Sequence, residues 1–252
     1  MTVAQFEEID RIERLAAKAW PAEHVEHRSG WRFRVSAAPN RRVNSILPLY
    51  PAPPGALADR IALVETFYRE RNLRPRFQIS PAVDPPDLDA ELAARGYVIE
   101  APVSVQIASV GEVAVLPKAK ELRLESWADE AWLATSWPDG TTADMAARLA
   151  LLERIRPDRR FATVVSDATP IAVGLGVLDG EWLGIFCMRT ILSHRRRGAA
   201  SEVLAALSSW AMERGARSVY LQVETENLPA LGLYARVGFR TLYGYHYRSL
   251  PA

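Results

Sequence analysis

Residues 193–200 read SHRRRGAA and residues 227–239 read NLPALGLYARVGF. The first stretch follows a run of strand character, 181–190, and opens a segment, 198–214, whose apolar positions Val203, Leu207, Trp210 and Ala211 recur at helical spacing. Gly215 suits the end of that helix. Small residues at Gly198, Ala199 and Ala200 let a backbone approach a ligand closely. The first turn of a helix carries unpaired N–H groups and the positive end of the peptide dipole. That arrangement binds phosphate or pyrophosphate, and Arg195, Arg196 and Arg197 add positive potential to it. Taken alone, the same stretch reads equally as a solvated basic turn opening a helix.

The surrounding residues extend the pattern. Between the two stretches, residues 218–223 alternate Val219, Leu221 and Val223 with Tyr220 and Gln222, as a strand does. Asn227 can cap a helix that Pro229 favours in its first turn, and Gly238 ends it. Upstream, residues 128–136 and 142–155 are helical in spacing. Residues 161–166, 171–178 and 181–190 read as three successive strands with turns at Asp167-Ala168 and Asp179-Gly180. Helices, meander strands, helix, strand, helix and strand make an α+β unit.

The first half repeats part of this plan. Strand, loop, short helix, Gly plus aromatic, then strand describes 77–107 as well as 219–250. Aligning Gly96-Tyr97 with Gly238-Phe239 sets Leu92 opposite Tyr234. Ahead of it come a helix over 3–19, strands near 31–37 and 43–49 joined at Pro39-Asn40, a PAPPG loop at 51–55 and an amphipathic helix over 56–71. A strand at 75–80, a helix at 87–95 and a strand at 97–107 complete it. The character becomes mixed over 109–121, which places the boundary between domains 1–112 and 120–252.

The order Arg195-x-x-Gly198-x-Ala200, helix, strand, then Asn227-x-x-Ala230-x-x-x-Tyr234-x-x-x-Gly238-Phe239 resembles the GNAT acyltransferase superfamily over roughly residues 120–252. The resemblance implies two tandem GNAT-like domains with mixed, mostly antiparallel central sheets flanked by helices. It implies an N-acetyltransferase that moves an acetyl group from acetyl-CoA to an amine of a small molecule or peptide by direct attack in a ternary complex. Backbone N–H groups from Arg196 through Ser201 would cradle the pyrophosphate, and the strand ending at Met188, Arg189 and Thr190 would hold the pantetheine arm. A backbone N–H near Met188–Arg189 would polarise the thioester carbonyl. Tyr234 matches the family tyrosine that protonates the departing thiolate. Asn227 either contacts the cofactor or only caps its helix. The alternative function is a non-catalytic acyl-CoA-binding regulatory or scaffold protein.

Other polar residues divide between readings. Glu181, Glu224 and Glu226 are candidates for the general base, and none stands out. Cys187, within the apolar GIFCM, reads as a buried small residue rather than an acyl-carrying nucleophile. His194 reads as a surface residue. His246, with Tyr243, Tyr245 and Tyr247, either walls an acceptor pocket or packs a sheet edge. His24 and His27 lack metal-ligand spacing, so no metal site is expected. In the first half Leu92 cannot donate a proton and no Arg-x-x-Gly-x-Gly/Ala precedes the helix at 56–71, so that half resembles a degenerate, non-catalytic GNAT domain. Arg32, Arg34, Arg41, Arg42, Asn44 and Ser45 either line an acceptor cleft or buttress a hairpin.

Composition bounds these readings. The 252 residues are 49% apolar and 24% charged, which excludes a disordered chain. Thirty-one basic against 30 acidic residues argue against a protein that coats nucleic acid or anionic lipid. Only Lys18, Lys118 and Lys120 are lysine, which with the many alanines points to a high-GC bacterial gene. One cysteine excludes an internal disulfide. MTVAQFEEIDRIERL is acidic and lacks an apolar stretch, so no secretory signal is expected. A cytoplasmic protein, monomeric or homodimeric, is the expectation.

Overall fold

A computed structural model describes residues 1–49, 55–117 and 121–251. The loop expected at 51–55 lies outside the described residues except for Gly55, as does the end of the expected junction at 118–120. The chain divides into two compact units, Met1–Ser104 with Glu224–Glu226 and Tyr243–Ala252, and Val105–Val223 with Asn227–Leu242. The sequence places the junction at 112–120. The units divide between Ser104 and Val105, and the end of the chain groups with the first.

Helix α1 (Val3–Ala19) starts in a capping box, with Thr2 Oγ1 accepting from the Gln5 N–H at 3.2 Å and Gln5 Oε1 from the Thr2 N–H at 2.9 Å. Then come β1 (His24–Arg28), β2 (Trp31–Val35), β3 (Ile46–Leu47), α2 (Leu57–Arg69), β4 (Arg76–Ile79) and α3 (Leu88–Ala94). Strand β5 (Val98–Ser109) runs from the first unit into the second. Within the first unit the strand order is β1-β2-β3-β4, with the last strand of the chain, β11 (Arg240–Ser249), antiparallel beside β4. Strands β3 and β4 are parallel, through Ile46 and Phe77. Around them Trp31, Phe33, Ile61, Tyr68, Phe77 and Leu92 are among the residues that close one core.

Two elements differ from expectation. Strand β1 is polar apart from Val25 and mostly exposed, so it gives no alternating signal. The strand expected over 43–49 is reduced to two residues. Ahead of it a 3-10 turn occupies Arg41–Val43, because Asn40 Oδ1 accepts from the Arg42 N–H. Asn44 Nδ2 donates to Ala38 O at 2.8 Å, and Asn44 Oδ1 accepts from the Ser36 N–H at 2.9 Å. Local side-chain bonds here replace ladder bonds.

Alternation does not find the polar centre of this unit. Glu13 lies on the buried stripe of α1 at 1% exposure, while Phe6 is exposed at 40%. Glu13 accepts from Tyr243 Oη at 2.7 Å and from Gln78 Nε2 at 2.6 Å. The Gln78 Oε1 accepts from Arg34 Nη2 at 2.9 Å, so one amide bridges carboxylate and guanidinium. Arg34 also donates from Nη2 to Ser45 Oγ at 2.7 Å and from Nε to Ser45 O at 3.1 Å. Its carbonyl accepts from Tyr68 Oη at 2.8 Å. Arg34, Asn44 and Ser45 therefore buttress the turn after β2. Buried charges of this kind are stable only when hydrogen-bonded throughout.

The second unit begins with the rest of β5, followed by α4 (Val110–Ala114), β6 (Leu122–Glu125), α5 (Glu130–Ser136) and α6 (Thr142–Glu153). A meander follows of β7 (Asp158–Ser166), β8 (Thr169–Asp179) and β9 (Trp182–Thr190). Strands β6 to β9 are successively antiparallel. Asp167 and Ala168 both take positive φ, 49° and 61°, in the tight turn between β7 and β8. Then α7 (Ala199–Met212), β10 (Ser218–Glu224) and α8 (Leu228–Arg236) lead into β11. Neither α4, within the mixed stretch 109–121, nor β6 directly after it is marked in the sequence. Among the described residues no helix is long and apolar enough to cross a membrane.

Burial pushes the Glu13 carboxyl above its ordinary value, partly opposed by the Tyr243 hydroxyl and by the guanidinium groups of Arg34 and Arg42. A carboxyl raised on folding contributes stability that is full below its unfolded pKa and is lost as pH rises through its folded pKa. The melting temperature of the wild type minus that of Glu13→Gln should therefore fall as pH is raised from about 4.5 to about 8. A difference that stays flat over that range contradicts the assignment.

Candidate functional site

The second unit holds a parallel pair that starts together and then parts. Strand β9 pairs with β10 in the steps Ser218–Trp182, Val219–Leu183, Tyr220–Gly184 and Leu221–Ile185. Their register ends there, although β9 continues to Thr190 and β10 to Glu224. The end of the register coincides with a fault on the other flank of β9. Leu175 of β8 faces Phe186, but Val173 faces Arg189, so Cys187 and Met188 together oppose the single residue Gly174. This is a β-bulge, and a bulge bends the strand that carries it. Cys187 takes φ 52°.

Past the bulge, β9 delivers Met188, Arg189 and Thr190, all half-buried, to a 3-10 turn over Leu192–His194. Arg195 follows, its Nε donating to Thr190 O at 3.3 Å. Arg195, Arg196 and Arg197 are exposed. Arg196 takes φ 61° and Gly198 φ 94°, the left-handed region in which a glycine carries no Cβ penalty. Gly198 occupies the cap position of α7 and offers no side chain to the free N–H groups of the first turn. A Cβ built there would meet no heavy atom within 4 Å, so the space before the helix end is open. Ala199 is buried, and Ala200 and Ser201 are half-buried at the start of the helix. Amide donors and the helix dipole thus face open space, with three exposed arginines just ahead of them in the chain, an arrangement chemically suited to a phosphate anion.

Helix α8 supplies the remaining candidates. Asn227 Oδ1 accepts from the Ala230 N–H at 3.2 Å, so its capping role is directly visible. Tyr234 is 6% exposed and meets the Phe239 ring at 5.6 Å between centroids. The described structure gives its hydroxyl no hydrogen-bond partner. Burial alone pushes that hydroxyl up to about 12, so it keeps its proton at physiological pH. Ala199, Val203, Leu221 and Tyr234 share one core, against which Met188 packs. Asn227 stays exposed at the surface.

The remaining candidates fall elsewhere. Glu181 opens β9 at the end away from the bulge and pairs with Arg217 at 3.0 Å. Glu224 pairs with Arg41 at 3.2 Å, and Glu226 is exposed. Cys187 is half-buried rather than buried, because the bulge breaks the in–out alternation of β9. His194 Nδ1 lies 3.0 Å from Ser193 Oγ. In the first unit, His246 Nε2 lies 2.9 Å from Asp89 Oδ1. Tyr243, Tyr245 and Tyr247 are all buried, and the last two meet edge-on at 5.6 Å. Among the described residues no group of three or more His, Cys, Asp or Glu could hold a metal. Sequence reasoning passes over Gly174; its only signal is a glycine inside the apolar run IAVGLGVL, a position that marks a bulge or a close approach.

Comparisons with known proteins identify a family. A family model described as "Probable histone acetyltransferase Rv0428c C-terminal" matches residues 7–248. An uncharacterized N-acetyltransferase, YobR of Bacillus subtilis, is 29% identical over 259 residues, covering 96% of this chain and 99% of its own. Among solved structures, a GCN5-related N-acetyltransferase from Kribbella flavida superposes with a TM-score of 0.70 at 15% identity, covering 96% of this chain and 95% of that one. A tandem GNAT protein from the clavulanic acid biosynthesis pathway gives 0.65 at 14% identity, covering 97% and 88%. A family match over nearly the whole chain makes the protein a member of that acetyltransferase family, an acyltransferase family, and its fold is that of the GNAT structures.

Proposed function

We propose that the second unit transfers an acetyl group from acetyl-CoA to an amine of a small molecule or peptide, by direct attack within a ternary complex. The observation that carries this reading is the parting of β9 from β10 immediately before an uncapped helix end flanked by Arg195–Arg197. The N–H groups from Arg196 to Ser201 would bind the pyrophosphate, and the free edge of β9 at Met188–Thr190 would bind the pantetheine arm. The amine nitrogen attacks the thioester carbonyl, a C–N bond forms, the C–S bond breaks, and the amine proton leaves to solvent or a base. Tyr234 donates its proton to the departing sulfur and is reprotonated from solvent. Holding both reactants in place supplies much of the rate. The first unit does not catalyse in this reading, because Leu92, fully buried, stands in place of the tyrosine.

Binding to the native state alone stabilises it, by about 2.7 kcal/mol at a hundredfold excess over Kd. For a chain of this size acetyl-CoA should then raise the melting temperature by about 5–10 °C. Arg197→Glu or Gly198→Trp should abolish that rise, and a rise that survives both changes places the cofactor elsewhere. Gly198→Ala, forced into φ 94°, should cost about 1 kcal/mol of stability by itself.

Tyr234→Phe should retain the acetyl-CoA shift but slow thiol release, in a screen of acceptor amines, by about 10²-fold or more. An unchanged rate removes Tyr234 from the proton transfer. Thiol release that no amine stimulates, in a wild type that binds acetyl-CoA, denies acetyl transfer to amines.

A further inference from the structure

We propose that Gly174, Met188 and Val203 form a seat that sets the course of β9, with Gly174 acting as a positioning residue for the donor. The proposal rests on the reading of the second unit as the acetyl-donor site. The left-handed conformation of Cys187, φ 52°, is one that a residue with a side chain keeps only when its surroundings over-determine it. Those surroundings are specific. A Cβ built on Gly174 would lie 2.6 Å from Met188 Sδ and 2.6 Å from Val203 Cγ1, so the thioether and a methyl group of α7 meet in the notch that the missing side chain leaves. On the carbonyl of the same glycine, Trp132 Nε1 of α5 donates at 3.3 Å.

Seating Met188 has two consequences. It fixes the course of residues 188–190, of which Arg189 and Thr190 stay paired with β8 but all of which lie beyond the last β10 pairing at Ile185. It also fixes the spacing between that segment and α7, whose first turn would hold the pyrophosphate. One side chain thereby couples the two halves of the donor site. A thioether is flexible, whereas a helical valine is stiff at χ1. A methyl group at position 174 should therefore displace Met188 first and strain α7 second.

The test compares the full-length wild type with Gly174→Ala and with Gly174→Ala/Val203→Ala. Three quantities are measured: the Kd for coenzyme A by calorimetry, the melting temperature, and amide exchange of the 186–190 segment by mass spectrometry. The double variant regains room on the helix side but still keeps Met188 out of the notch. The single variant should melt lower and the double variant should regain most of that loss, while both weaken coenzyme A binding by about tenfold or more. Both should also speed exchange at 186–190 by about tenfold. Recovery of affinity together with melting temperature in the double variant overturns the proposal, as does unchanged exchange in both variants. A wild type that binds no coenzyme A sinks the donor-site reading instead. Exchange then decides alone, with faster exchange in the double variant upholding the seat and unchanged exchange refuting it.

Discussion

Two parallel strands that begin hydrogen-bonded must part if a polar chain is to lie between them, and parting leaves backbone groups without partners. That constraint organises the second unit. Strand β9 parts from β10 after Ile185, and the bulge at Cys187–Met188 bends it at that point. Unpaired backbone in a protein interior is costly unless something supplies partners, so an exposed strand edge beside an uncapped helix end is informative about a ligand. Gly198 contributes by lacking a capping side chain, and Gly174 by lacking a Cβ where Met188 must sit. Both glycines act through what they omit, one beside open space and one inside a packed core.

The first unit resolves its polar groups differently. It carries its own parallel pair, β3 and β4, but a single residue pairing joins them. Several of its buried polar residues bond to one another: Glu13, Gln78, Arg34, Ser45 and Tyr243 form a chain of hydrogen bonds. The Gln78 amide is committed at both ends, which fixes its orientation and spaces the two charges. Leu92 is fully buried where the second unit has Tyr234.

Features set by neighbouring residues were legible in the sequence. The tight turns at Asp167-Ala168 and Asp179-Gly180, the Asn227 cap, the glycine before α7 and the helical stripe of α7 all depend on residues a few positions apart. Features set by distant partners were not. Glu13 looks like a surface residue on α1 because its partners Gln78 and Tyr243 lie 65 and 230 residues away. Strand β1 is polar apart from Val25, so only pairing with β2 identifies it. The bulge depends on a register between β8 and β9 that no local pattern encodes, and Cys187 consequently looked like an ordinary inward-facing residue. Glu181 and Glu224 stayed ambiguous as bases for the same reason, since their arginine partners Arg217 and Arg41 are set by the fold.

The proposed donor site has two walls, the bend of β9 and the open end of α7, and a titration followed residue by residue tests their pairing most directly. In amide NMR spectra recorded against increasing coenzyme A, the N–H signals of residues 186–190 and of 196–201 should move together, along saturation curves with a single Kd. Signals that move in only one of these segments, or in neither while the first unit responds, would contradict it.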